Sequence, residues 1–148
     1  MTSPLFNAGQ YPTSAELEQL SNRLAGMTQA TVATSQTTTS TSFTDLATVG
    51  PTVTVTVGDS GIVEVVLSTQ ISNVGGNHAY ASFTTSGANV SAAADTRAIY
   101  IASTNVTRFS GSFPLTGLAP GITTFTMKYR VSASTGTFAD RTLHIKTF

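Results

Sequence analysis

The chain has 148 residues, with seven Lys and Arg against seven Asp and Glu, and only 9% of its residues are charged. A net charge near zero leaves no electrostatic footprint for nucleic acid, and the lack of cysteine excludes disulfides, thiolate nucleophiles and cysteine-ligated metals. No basic and apolar leader begins the chain and no apolar run approaches about 18 residues, so we expect neither Sec-dependent secretion nor membrane insertion.

The first organised segment is a short helix, predicted over residues 14–25 within an N-terminal segment 1–27. Thr13 and Glu16 have the spacing of a capping box, and Gly26 suits the C-terminal stop. Apolar side chains recur at helical spacing at Leu17, Leu20, Leu24 and Met27. Because so short a helix is marginal alone in water, it needs its own domain, a second copy or another protein to pack against.

Residues 28–42 are rich in Thr and Ser and contain neither Gly nor Pro. Thr favours extended backbone, so this stretch predicts a linker that leads into a first β-strand. The linker would separate the helix from a folded domain over residues 43–148.

Within that domain the hydrophobic pattern has a period of two. Residues 52–57 alternate strictly between Thr and Val, and Gly58 to Gly61 then predict a hairpin into the strand at 62–71. Further strands are indicated at 79–84, 97–102, 106–113, 124–132 and 138–145. Eight or nine short strands without a second helix predict an all-β antiparallel sandwich, with a jelly roll as the favoured topology.

Residues that could perform chemistry are sparse. The two histidines, His78 and His144, lie far apart in the sequence, and no two aspartates pair at short spacing. We therefore expect no catalytic residue, metal site or cofactor. Most aromatic residues sit at strand spacing and belong in a core, although one or two exposed tyrosines would suit stacking on a sugar.

Four arginines of the C-terminal half lie one per predicted strand, and Asp95 and Asp140 lie near two of them. One interpretation is that they are solvated and protect sheet edges from aggregation. The other is a subunit interface with Arg–Asp pairs, since bidentate guanidinium–carboxylate pairs suit interfaces. Its candidate residues are Arg97, Arg108, Arg130, Asp140 and Arg141.

Three stretches resemble small virion structural proteins of tailed phages of actinobacteria. They are Val32 to Val57, with Gly50-Pro51 before the Thr/Val alternation; Leu118 to Arg141, with Lys128-Tyr129-Arg130; and Gly9 to Leu17, which is similar to a fibre attachment segment. Proteins of this group include head-decoration, head-fibre and minor tail proteins, and the sequence leaves the choice between head and tail open.

The resemblance implies a virion-surface protein, made in the host cytoplasm without a signal peptide, and assembled as a homotrimer on the major capsid protein or another virion protein. The attachment residues it implies are Phe6, Tyr11, Leu17, Leu20 and Leu24. Two alternatives stay open: a minor tail protein, or a receptor-binding or carbohydrate-binding module of the tail whose partner is a glycan or host receptor. No nucleic acid and no membrane are expected as partners.

Overall fold

The computed structural model describes residue 9, residues 11–24 and residues 26–148, with the side chains of residues 20–24 outside that description. The described chain begins with the predicted helix, α1 (Ser14–Leu24), and continues into strands and one short 3-10 turn, Asp95–Arg97. The strands are β1 (Met27–Val32), β2 (Gln36–Thr38), β3 (Thr52–Val57), β4 (Val63–Asn73), β5 (His78–Gly87), β6 (Ile99–Ala102), β7 (Thr107–Leu115), β8 (Gly121–Val131) and β9 (Gly136–Thr147).

The strands form two antiparallel sheets that face each other. The first sheet has the order β1-β9-β4-β7, with β2 also pairing with β9, and the second has the order β3-β8-β5-β6. Four of the pairings are nested along the chain: β1 with β9, β3 with β8, β4 with β7, and β5 with β6. This nesting is the winding of a jelly roll, so the predicted fold class is confirmed.

Alternating side chains fill the space between the sheets. Along β4 and β8 every second residue is buried, as the hydrophobic pattern predicts for strands with one wet face. The largest apolar side chains of the core include Phe83, Phe125 and Phe138. Threonines line the outer faces and bond across strands, as Thr54 does with Thr124 at 2.8 Å between hydroxyl oxygens.

The hairpin predicted between residues 52–57 and 62–71 is wrong. β3 pairs with β8 and β4 pairs with β7 and β9, so the turn at Gly58 to Gly61 carries the chain from one sheet to the other. A glycine-rich turn between two alternating strands suits both a hairpin and a crossover, and only the distant partners decide between them. At this crossover Gly61 has a φ of 63° and its carbonyl accepts a hydrogen bond from the Leu118 N–H.

We expect Gly61→Ala to destabilise the protein more than Gly117→Ala. Both glycines have left-handed backbone, with φ of 63° and 69°, so alanine adds strain of about 1 kcal/mol at either position. A Cβ at Gly61 would also lie 2.7 Å from the Leu118 carbonyl oxygen, whereas one at Gly117 has no neighbour within 4 Å. Urea unfolding should therefore show a loss of about 2 kcal/mol for the first variant and half of that for the second. Equal losses would contradict the close approach at the crossover.

The domain boundary at residue 43 also needs correction, because residues 28–42 are not a spacer. β1 pairs with β9 over six residues, from Met27 opposite Lys146 to Val32 opposite Arg141, and β2 pairs with the next part of β9. Before β1 begins, the Gly26 carbonyl already accepts a hydrogen bond from the Thr147 N–H at 3.0 Å. The threonines indicate extended backbone in the sequence, but β9, the strand with which these residues pair, lies about a hundred positions away in the chain.

Candidate functional site

The outer face of the second sheet carries a row of large side chains on three neighbouring strands. Tyr100 on β6 is opposite Tyr80 on β5, and Tyr80 is opposite Arg130 on β8. All three residues occupy outward positions, because the residues before and after each are buried or turned to the core. With His78, two residues before Tyr80, they form what we call the aromatic row.

The rings of the aromatic row support one another. The ring centroids of Tyr80 and Tyr100 are 5.2 Å apart, and the His78 ring lies 5.8 Å from Tyr80 and 5.6 Å from Tyr100. These separations are those of favourable aromatic pairs. Tyr80 is half-buried beneath its neighbours, while 51% of Tyr100 is exposed on the edge strand. Tyr100 is thus an exposed ring whose position is fixed by its contacts with Tyr80 and His78.

Arg130 closes the other end of the row through a stack and an ion pair. Its guanidinium carbon is 3.8 Å from the centre of the Tyr80 ring and 5.4 Å from that of Phe43. Two of its nitrogens donate to the carboxylate of Asp95, at 2.9 and 2.6 Å. The hydrogen bond with Asp95 raises the pKa of Arg130, against the opposing effect of its partial burial. The guanidinium is therefore held in one orientation, against the Tyr80 ring on one side and by the Asp95 carboxylate.

A shallow depression of about 470 Å³ adjoins the row at Phe43. Its floor is Thr84 and Lys128 on the outer sheet face, and its walls are residues 43–45 and 92–93. The Lys128 ammonium donates to the Asp45 carboxylate at 2.6 Å along the wall. The sheet face thus presents aromatic rings, two ion pairs and a concave surface side by side.

The residues predicted for a subunit interface are not gathered on one surface. Arg130 belongs to the aromatic row, whereas Arg108 pairs with Asp140 at 3.3 Å on the first sheet, with both side chains about half exposed. Arg97 lies over the Phe83 ring and donates to Ser91 and to the Ala92 carbonyl, and partial burial lowers its pKa. Each of these contacts lies within the chain, and a subunit interface at these residues stays a prediction.

Arg141 cannot belong to an exposed interface, because its side chain is fully buried. One Nη donates to the carbonyls of Gly50 and Thr48, the other donates to the Gln36 side-chain oxygen at 2.8 Å, and Nε has no partner. A β-bulge in the pairing of β4 with β9 places Asp140 and Arg141 opposite the single residue Thr69. The sequence did hold a signal: Arg141 has the same parity as Leu143 and Ile145, which face the core.

The predicted attachment residues are only partly described. The capping box is confirmed, since the Thr13 backbone N–H donates to the Glu16 carboxylate at 2.6 Å and the Glu16 N–H donates to the Thr13 hydroxyl; these bonds lower the pKa of Glu16. Tyr11 and Leu17 are 96% and 50% exposed. Phe6 and the side chains of Leu20 and Leu24 lie outside the described residues.

The two histidines lie on different sheets, His78 on β5 and His144 on β9. Among the residues that the structure describes, no three His, Asp or Glu side chains are grouped as a metal ion would require. The described part of the chain also has no helix long and apolar enough to cross a membrane.

No family model and no curated protein matches the sequence. Solved structures of similar architecture include the C-terminal domain of EclA, a sugar-binding protein, at 19% identity, with 78% of this chain and 79% of that chain covered and a TM-score of 0.37. The CBM36-1 domain of a xylanase from the hindgut metagenome of Trinervitermes trinervoides has 12% identity, coverage of 82% and 98%, and a TM-score of 0.42. A Bacillus endospore appendage protein has 15% identity, coverage of 82% and 88%, and a TM-score of 0.33. Likenesses this weak carry no argument about function.

Proposed function

We propose that the chain is a structural protein of a bacteriophage particle, of the head-decoration or head-fibre kind. Its N-terminal segment docks on the major capsid protein or another virion protein, and its jelly roll is displayed at the virion surface. The observation that carries the proposal is the capped helix α1, whose Leu17 is half exposed and which precedes the first strand by only two residues. The proposal assigns no catalytic role and no cofactor to the chain.

The helix needs a partner that the jelly roll does not supply in its described part. An isolated helix of 11 residues is marginal in water, because most helical stability in proteins comes from packing an apolar face. Within the described residues no hydrogen bond joins α1 to either sheet. The capping box fixes where the helix begins, and a binding groove on a particle protein would bury its leucine stripe.

The first test compares the full chain with a chain that begins at Gly26, which keeps β1 and the bond from Thr147 to Gly26. Both are mixed with particles assembled without this protein and sedimented. We expect the full chain to saturate the particles and the shortened chain to bind less than about a tenth as much, with thermal unfolding of the two within a few degrees. Full occupancy by the shortened chain would overturn the docking role.

A matched pair of substitutions tests the leucine stripe itself. Leu17→Asp adds a charge on the stripe, and Gln19→Asp adds the same charge on the opposite side of the helix, since two helical positions are separated by about 200°. Only the first is expected to weaken particle binding, by at least about tenfold. Equal binding by both variants would remove the stripe from the docking surface.

The second candidate function is a minor tail or receptor-binding protein, and the exposed aromatic row favours it. Imaging particles that carry a labelled copy separates the candidates, because label on the head supports decoration and label on the tail supports receptor binding. The homotrimer remains a prediction for either candidate, and sedimentation equilibrium of the full chain tests it.

A further inference from the structure

We propose that the aromatic row is a saccharide-binding site, and that its ligand is an uncharged oligosaccharide of pyranose units. Tyr100 is the stacking ring, and Asp95 with Arg130 supplies the hydrogen bonds to hydroxyl groups. The site does not depend on particle docking, because a chain that begins at Gly26 retains every residue of the row.

The stacking surface is ready before a ligand arrives. Tyr100 is half exposed although it is a large aromatic residue, and its ring already contacts Tyr80 and His78 at centroid distances of 5.2 and 5.6 Å. A ring held in this way loses little conformational entropy on binding, which is a major cost for surface side chains. Pyranose rings have an apolar C–H face, and the electron-rich face of a tyrosine suits it.

The polar groups that would bind ligand hydroxyls, Asp95 and Arg130, lie on the same side of the sheet as Tyr100. More than half of the Asp95 side chain is exposed, although both of its oxygens accept a bond from Arg130. An ionised carboxylate has about four acceptor positions, so about two remain for ligand hydroxyls. Hydrogen bonds to ionised groups are about twice as strong as neutral ones.

The charge balance selects an uncharged ligand. Arg130 is neutralised by Asp95, and Lys128 in the adjoining depression is neutralised by Asp45. A phosphate or a uronate would need an unpaired cation, and the two cations named here, Arg130 and Lys128, each have a carboxylate partner. Hydroxyl groups, which both donate and accept, match paired ions better than an anion does.

The dimensions fit an oligosaccharide better than a single sugar. Tyr100, Tyr80 and Arg130 lie on three adjacent strands, which places the ends of the row about 10 Å apart. Beyond Arg130 the Phe43 ring and the depression continue the surface along the same face. The surface is open rather than enclosed, so we expect a dissociation constant of about 0.1–1 mM.

The site can be tested by nuclear magnetic resonance on the full chain, isotopically labelled, with maltotriose, cellotriose and N-acetylchitotriose as probes at millimolar concentration. We expect at least one probe to shift the amide signals of residues 78–82, 95–102 and 128–131. Tyr100→Ala should weaken that binding at least about tenfold, whereas Tyr100→Phe should retain it within about threefold. Tyr100→Phe tests whether the ring rather than the hydroxyl group carries the binding, and the dispersed amide signals of Tyr100→Ala itself must show that this variant is folded.

A tryptophan reporter supplies an independent measurement, because the chain has no tryptophan. Tyr100→Trp is expected to bind the same probe at least as well and to change its emission on binding, whereas Tyr11→Trp, at an exposed tyrosine of the N-terminal segment, is expected to show no change. The proposal is overturned if no probe shifts any signal, or if the shifts lie elsewhere. It is equally overturned if Tyr100→Ala changes the oligomeric state and not saccharide binding, since the row is then an interface between copies.

Discussion

Replacing Arg141 by lysine is expected to destabilise the protein more than replacing it by methionine. Arg141 is fully buried, and among the described residues no carboxylate lies within ion-pair distance of it. Its charge is met only by neutral acceptors, the carbonyls of Gly50 and Thr48 and the side chain of Gln36, and by the Tyr129 ring at 5.2 Å. A lysine would keep the buried charge but lose the planar fork that reaches these acceptors at once.

Methionine removes the charge and all three hydrogen bonds that the guanidinium donates, but it keeps much of the volume. Two of the acceptors keep other donors, because the Tyr129 hydroxyl bonds to the Gly50 carbonyl at 2.9 Å and the Thr48 N–H bonds to the Gln36 side chain at 3.0 Å. We therefore expect a loss of about 1–2 kcal/mol for Arg141→Met, and of about 3–5 kcal/mol for Arg141→Lys and Arg141→Ala. The Tyr129 phenol stays neutral, because burial raises its pKa against the opposing effect of Arg141.

Urea unfolding of the three variants measures the order of these losses. The control is Arg108→Met, since Arg108 is an exposed arginine on the neighbouring part of the same sheet, and it should change stability by less than about 1 kcal/mol. If Arg141→Lys is as stable as the unmodified protein, a buried charge without the guanidinium fork does not lower the free energy of unfolding, which contradicts the prediction. If Arg141→Met is the least stable, the hydrogen bonds outweigh the cost of burying the charge.

Strands β3 to β9 could be predicted from the sequence, whereas their partners could not. Alternation in residues 52–57 and 124–132 marks both the strands and their inward faces, because the side chains of a strand alternate by geometry. Pairing in a jelly roll joins the two ends of the chain, and no local signal distinguishes a hairpin turn from the crossover at Gly58 to Gly61. The same limit hid β1, whose partner β9 lies at the other end of the chain.

In the candidate site, too, the orientation of single residues could be predicted from the sequence, whereas the contacts between strands could not. Tyr80, Tyr100 and Arg130 are outward positions that alternation identifies, but the register that places them in one row joins residues 20 and 50 positions apart. Asp95 lies two residues from Arg97 in the sequence, but in the structure it pairs with Arg130. Arg141 could have been assigned to the core from its parity, but a fully buried arginine without a carboxylate partner is too rare for that assignment to be preferred.

A chain that begins at residue 43, the domain boundary expected from sequence, should be far less stable than one that begins at Gly26. The longer chain keeps β1 and β2. The shorter one exposes one edge of β9, leaves nine residues of that strand without a partner at this edge, and removes Gln36 from Arg141. Loss of the Gln36 acceptor alone costs about 1–3 kcal/mol, and the lost packing of Ala30 and Val32 adds to it. We expect a total above about 3 kcal/mol, or failure to fold.

A third chain, beginning at Thr34, separates the two strands, because it keeps β2 and Gln36 but lacks β1. In urea unfolding, the midpoint of this third chain should lie between the midpoints of the other two chains. Equal midpoints for all three chains would mean that residues 28–42 act as a spacer after all, free to extend to about 50 Å. If the order holds, α1 is separated from the sheet by only the two residues between Leu24 and Met27, and the docking that we propose would then place the β1 edge of the jelly roll close to the particle wall.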